Sequence, residues 1–332
     1  MSKTRKKRCP YCGFLDTIKK GSRTGHTRHF CKNCKSYFTD RRLYVTEKNM
    51  FPWFERWVRD KQSIEQVARQ SGYSERTLKR YFYKMLPTCP TWHIQRREKV
   101  NLHIDGTYFA NKICLVVYRD SNIKMTLLYR LSKGEVLREL LEDLRNIRSI
   151  GIKVESVTCD GGNTILKSVR EVFPEVIIQR CTFHVAREVE LWLTQKPQSE
   201  AAQELLDLVH LLNRVEDQRD AQLWMRAFID WHIYYEEFIN EKSVDEESGR
   251  WWYKHRMLHR SDSHIRKALP YLFSYTMHPN IPKTNNSLES FFGHLKDNLR
   301  LHRGLSKEHF KDFVKWYLFL HSDQHKVTKN RG

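Results

Sequence analysis

Between residues 98 and 194 the apolar positions switch repeatedly between a period of two and a period of 3.6. "KVNLHIDGTYF" alternates, with Val100, Leu102 and Ile104 on one face and Asn101, His103 and Asp105 on the other. That predicts a strand, with Asp105 standing just before Gly106. Residues 112–120 and 124–132 predict two more strands, joined by a short Asp-Ser-Asn turn as antiparallel neighbours. An amphipathic helix follows over 134–151, ended by Gly151. "VESVTCD" then reads as a strand ending in Asp160, and Gly161-Gly162 leads into a helix over 163–173. A fifth strand at 175–180 and a helix from 181 to 193 complete the run.

Beyond it, residues 195–283 show helical patterns with no clear strand, which predicts an all-helical segment. Trp224, Trp231, Trp251 and Trp252 are concentrated there, suited either to a helical core or to stacking on unpaired bases. "TNNSLESFFGHLK" (284–296) predicts a helix with an apolar stripe of Leu288, Phe291, Phe292, Leu295 and, further on, Leu299. Glu289 sits on the shoulder of that stripe. Nearer the start, Ile64, Val67 and Ala68 mark one short helix, Gly72 a tight turn, and Ser74 the cap of a second helix carrying Leu78, Phe82 and Met85 inward. Helix, glycine turn, helix is the helix-turn-helix pattern, although a plain helical hairpin would read alike. Its outward side offers Arg76, Lys79, Arg80 and Lys84 to phosphates and base edges of a major groove. Prolines at 87 and 90 mark a boundary.

Three strands, helix, strand, helix, strand, helix is the order of an RNase H-like fold. The expected class is therefore α/β, with a mixed five-stranded sheet and an all-α insertion. In this fold the ends of the first and fourth strands are neighbours, so Asp105 and Asp160 are expected side by side. Either acid alone could simply cap a turn. Together they would repel unless a cation lay between them, and oxygen ligands suit Mg²⁺ or Mn²⁺. Glu289 is the candidate third carboxylate. Two such ions could serve phosphoryl transfer.

Charge divides the chain unevenly. Net charge is +20, yet the first 100 residues hold 25 Lys and Arg against 8 Asp and Glu, while the other 232 hold 34 against 31. Solubility alone does not explain that asymmetry; a polyanion-binding arm does. Cys9-x2-Cys12 and Cys31-x2-Cys34 supply four thiolates at the spacing of a closed, structural Zn²⁺ site. Cys89, Cys114, Cys159 and Cys181 lack paired spacing. No apolar run of about 18 residues predicts a membrane span, and the basic start lacks the apolar region of a secretory signal. The expected location is inside the cell.

"HIDGTY", "VTCDGG", "QRCTFHV" and "TNNSLESFFGHLK", in that order, resemble the signature blocks of Mutator-type DDE transposases of bacterial insertion sequences. The resemblance runs from about residue 98 to 320, and a zinc ribbon with a helix-turn-helix in front suits such enzymes. It implies that Asp105, Asp160 and Glu289 form the metal-binding catalytic triad. It matches the family's Cys-x2-His pair with Cys181 and His184, for which a positioning role is expected over zinc binding. It implies an all-helical insertion between the last two acids, at least a homodimer, and double-stranded DNA, both transposon ends and target, as substrate in a nucleoid-associated bacterial protein. Arg300 and Arg303 are candidate phosphate contacts near the cut site. The expected divisions are 1–45 (zinc ribbon), 46–92 (helix-turn-helix), 98–194 and 284–325 (catalytic core), and 195–283 (insertion). A DNA-binding regulator or a Mg²⁺-dependent nuclease without strand transfer are the alternatives.

Overall fold

In the computed structural model, which describes residues 7–23, 26–39, 46–110 and 112–322, the first elements are three short antiparallel strands. They are β1 (Thr17–Arg23), β2 (His26–Cys31) and β3 (Tyr37–Thr39), paired in that order. Among the described residues their core is Cys9, Cys31 and Phe38, with Cys34 against it. Three helices follow: α1 (Glu47–Arg59), α2 (Ile64–Ser71) and α3 (Glu75–Met85). Ser63 and Gln66 close a reciprocal capping box at the start of α2. Gly72 ends that helix at φ +73°, a left-handed conformation that glycine adopts without strain. Ser74 then accepts the Thr77 N–H to start α3. The α2–turn–α3 unit was legible in the sequence; α1, whose pattern is interrupted by Pro52, was not.

The central sheet comprises β4 (Lys99–Phe109), β5 (Ile113–Asp120), β6 (Met125–Ser132), β7 (Lys153–Cys159) and β8 (Ile177–Arg180). The order is β6-β5-β4-β7-β8, as expected of the RNase H-like class. The first three strands pair antiparallel, and β7 and β8 join parallel through the crossover helices α4 (Leu137–Ser149) and α5 (Asn163–Val172). Val100, Leu102 and Ile104 enter a core shared with Leu140, Leu144 and Val169 of those helices. The polar face of β4 is buried as well, with the chain at Asn280 and Pro282 lying over it. There Asn101 accepts from Ser156 Oγ at 2.7 Å and donates to the Asn280 carbonyl at 2.9 Å.

The helix α6 (Thr182–Leu193) opens a second core with α7 (Glu200–Leu212), α8 (Gln218–Ile239), α9 (Arg256–Ala268) and the short α10 (Ser274–Met277). Trp224 and Trp231 are buried in it, their indole N–H groups donating to the Leu208 carbonyl at 2.7 Å and the Ala201 carbonyl at 3.0 Å. The insertion is not all-helical. Between α8 and α9 lies a hairpin of β9 (Lys242–Val244) and β10 (Trp251–Tyr253), which leaves Trp251 and Trp252 exposed. Its three-residue strands are too short to show a period of two, and its turn is set by Asp245, which accepts the Ser248 and Glu247 N–H groups.

Last come α11 (Asn286–Arg300) and α12 (Lys307–Leu320). The chain forms two compact units, one of residues up to Cys89 together with Asp297–Leu320, the other of Pro90–Lys296 with the residues from His321. The expected assignment of 284–325 to the catalytic core is therefore corrected: α12 packs on α1 in the first unit. Its Phe313 and Trp316 meet Trp57 and Phe54 edge-on, closing a core no local pattern could reveal. The Trp316 indole N–H also donates to the Leu86 carbonyl at 2.9 Å, at the end of α3. Trp316→Ala should cost about 3–5 kcal/mol and lower the thermal transition of the first unit.

Candidate active site and metal centre

Parallel pairing of β4 with β7 puts Ile104 opposite Cys159. One residue further along stand Asp105, which lies within β4 because that strand runs on to Phe109 instead of ending there, and Asp160, just past the end of β7. Asp105 is 7% exposed; its Oδ1 accepts the Gly106 N–H at 2.9 Å and its Oδ2 accepts from Asn285 Nδ2 at 3.2 Å. Asp160 Oδ1 accepts the Gly162 N–H at 2.9 Å. Glu289 lies in the first turn of α11, which buries Leu288, Phe292 and Leu295 as the stripe predicted; Phe291 is only half-buried. Its Oε1 is 2.8 Å from His184 Nε2, close enough for an ion pair though off-line for a hydrogen bond.

Electrostatics tie these groups into one cluster. Burial pushes the Asp105 carboxyl up to about 7, and the charges of Asp160 and Glu289 add to this against the opposing pull of His184 and the Gly106 N–H. Burial works against a charged His184, but the Cys181 and Glu289 side chains and the field of Asp105 outweigh it and push its pKa up to about 11. His103 is different: burial, then the Arg119 guanidinium, push it down to about 4, so it is neutral beside Asp105. Cys181 Sγ accepts the Asn285 N–H at 3.5 Å, and the Asn285 carbonyl accepts the first N–H groups of α11. Cys181 and His184 thus hold the start of the Glu289 helix.

Two residues here escaped the sequence reading. Asn285, fully buried, joins the start of α11 to Asp105. Glu135, at the approach to α4, reaches back against Gly106, and a Cβ at Gly162 would lie 3.6 Å from Glu135 Oε2 and 3.5 Å from Asp160 Oδ1. Burial and the Asp160 charge both raise the Glu135 pKa. In sequence it was one acid of an amphipathic helix.

The donor set of carboxylate oxygens under mutual repulsion fits a hard divalent cation. Among the described residues only the four cysteines bring three or more ligand atoms within 4.8 Å of one another, so the carboxylates stand further apart than that. The cysteines fit Zn²⁺. Cys9 and Cys34, and Cys12 and Cys31, are each 3.6 Å apart between sulfurs, near the ~3.8 Å edge of a tetrahedron with 2.3 Å Zn–S bonds. Hydrogen bonding from Ser36 pulls the Cys34 thiol down to about 6, favouring the thiolate a metal needs.

Of the predicted DNA contacts, Arg76, Lys79, Arg80 and Lys84 are exposed on α3. Glu75 pairs with Lys79 at 3.6 Å, and Glu47 with Lys84 at 2.6 Å. Arg300 and Arg303 belong to the first unit, Arg300 at the end of the helix that carries Glu289 in its first turn. Arg300 pairs with Asp297 at 3.0 Å, and Arg303 lines a hollow with Lys79 and Tyr83. No helix of the described residues is long and apolar enough to cross a membrane.

Comparison with curated proteins gives no match. A family model described as transposase, Mutator family, matches residues 122–307, beginning after Asp105 and taking in Asp160, His184 and Glu289. With more than half of its length so matched, the chain belongs to the Mutator family of transposases.

Proposed function

We propose that the protein is a DDE-type transposase that binds the terminal inverted repeats of its element, cuts there and joins the ends to target DNA. The observation that carries this reading is the register of β4 and β7, which sets Asp105 beside Asp160, with Glu289 close enough for its charge to act on Asp105. Asp105, Asp160 and Glu289 would hold Mg²⁺ or Mn²⁺. Bound there, divalent ions would activate the attacking oxygen and stabilise the leaving one in an in-line displacement. The protein's own part is placement. Gly106 and Asn285 fix the Asp105 carboxylate, Gly162 fixes that of Asp160, and His184 steadies Glu289. The exposed cations of α3 supply duplex recognition, and two ends brought together imply a dimer.

The test is incubation of the purified chain with Mg²⁺ and labelled duplex carrying the element's ends. Cleaved and strand-transferred products support the reading. Cleavage without joining would make the protein a nuclease, and specific binding with neither would make it a regulator. Glu135 adds a further expectation: Glu135→Gln should weaken Mn²⁺ binding by about tenfold in a calorimetric titration, as loss of a supporting carboxylate does.

A further inference from the structure

A cavity of about 850 Å³ opens beside Asp160, between the Gly161-Gly162 loop and helices α5, α6 and α9. Arg180, at the end of β8, lines it while only 5% exposed, and its buried Nε has no hydrogen-bond partner. A guanidinium taken out of water without full pairing is costly unless an anion completes it. The loop is shaped around this group: Gly161 has φ +84°, and a Cβ there would run into the Arg180 side chain. Arg170, Arg256, Arg260 and Lys267 line the same space. Its acids do not balance them. Besides Asp160 the cavity holds Glu188, which is 3.2 Å from His264. Burial, then Arg180, Arg260 and Lys267, push His264 down to about 4, a further sign of a positive field.

The walls are aromatic. Arg260 lies 4.0 Å over the Trp192 ring, His264 meets the edge of that ring, and Tyr253 stacks on His259 at 3.6 Å. Rings interleaved with cations are how proteins hold unpaired nucleotides, and the volume is that of a small-ligand pocket. A stacked duplex could not present a base to these rings.

We propose that this cavity binds one unstacked nucleotide of a single DNA strand, its phosphodiester on Arg180 and its base against Trp192 and Tyr253. The proposal deepens the transposase reading, since it places the strand beside Asp160. The test is photocrosslinking of the full chain to a duplex with a single-stranded 3′ tail bearing 5-iododeoxyuridine, with peptides mapped by mass spectrometry. Crosslinks should fall on Trp192 or Tyr253 and be absent with a blunt duplex. Arg180→Gln should lower their yield at least about fivefold. So should Gly161→Ala, which keeps the arginine but displaces it, and Trp192→Leu serves if either variant fails to fold. Crosslinks confined to residues 47–85, or a yield unchanged in the variants, would overturn the proposal. Crosslinking needs no cutting, so an inactive wild type that still crosslinks here would sink the catalytic reading and leave this one standing.

Discussion

Asp160→Asn is expected to reduce Mg²⁺-dependent DNA cleavage by more than about 1,000-fold, some 4 kcal/mol of transition-state stabilisation, without lowering the melting temperature. The two halves of this expectation have separate causes. Structurally, Asp160 accepts the Gly162 N–H through Oδ1, and an amide oxygen can take the same hydrogen bond. The turn into α5 should therefore persist. Chemically, the substitution removes one of two carboxylates on adjacent strands, and with it the charge that would hold a divalent cation. It also relieves Asp105 of one of the charges that raise its pKa. Gel analysis of labelled products beside a thermal melt reads both halves. Cleavage within tenfold of wild type would remove Asp160 from the chemistry, and a collapsed melt would mean that its role is to hold the turn. Affinity for the intact duplex should hardly change, because the exposed cations Arg76, Lys79 and Arg80 belong to the other unit.

Much of this site was legible because it rests on local periodicity. Alternation in β4 fixed the face of Asp105, and the 3.6-residue stripe of α11 fixed the shoulder that carries Glu289. The order of elements then set which strand ends would meet. What was hidden depended on distance along the chain. Glu135 reaches Gly106 and Asp160 from a loop whose residues look like any helix approach. Asn285 bonds a carboxylate 180 residues away. The first unit is closed by Phe313 and Trp316 of α12, more than 200 positions beyond the residues they cover, so the sequence showed α2, the turn and α3 but not their core. The hairpin of β9 and β10 was missed because three residues per strand carry too little pattern to outweigh the helices on either side.

Removing Zn²⁺ should have the largest structural effect of any treatment, confined to β1–β3. Four sulfurs lie within 4.8 Å of one another, and among the described residues Phe38 is the only apolar side chain buried in that core besides the cysteines. One buried ring contributes roughly 1.5–3 kcal/mol, far below the entropy of ordering some thirty residues. Zinc bound by four thiolates supplies apparent free energies of about 10–16 kcal/mol, several times what that ring contributes. A chelator should therefore abolish amide-exchange protection in β1–β3 while the central sheet keeps its own, and duplex affinity should fall with the loss of a folded basic module. Cys31→Ser should reproduce the effect without chelator, since Cys31 is both one of the four candidate ligands and a buried core residue. Restored Zn²⁺ should rescue the chelated wild type and not the variant. Protection that survives chelation would mean that the small sheet carries itself and that the four thiols serve some purpose other than holding it together.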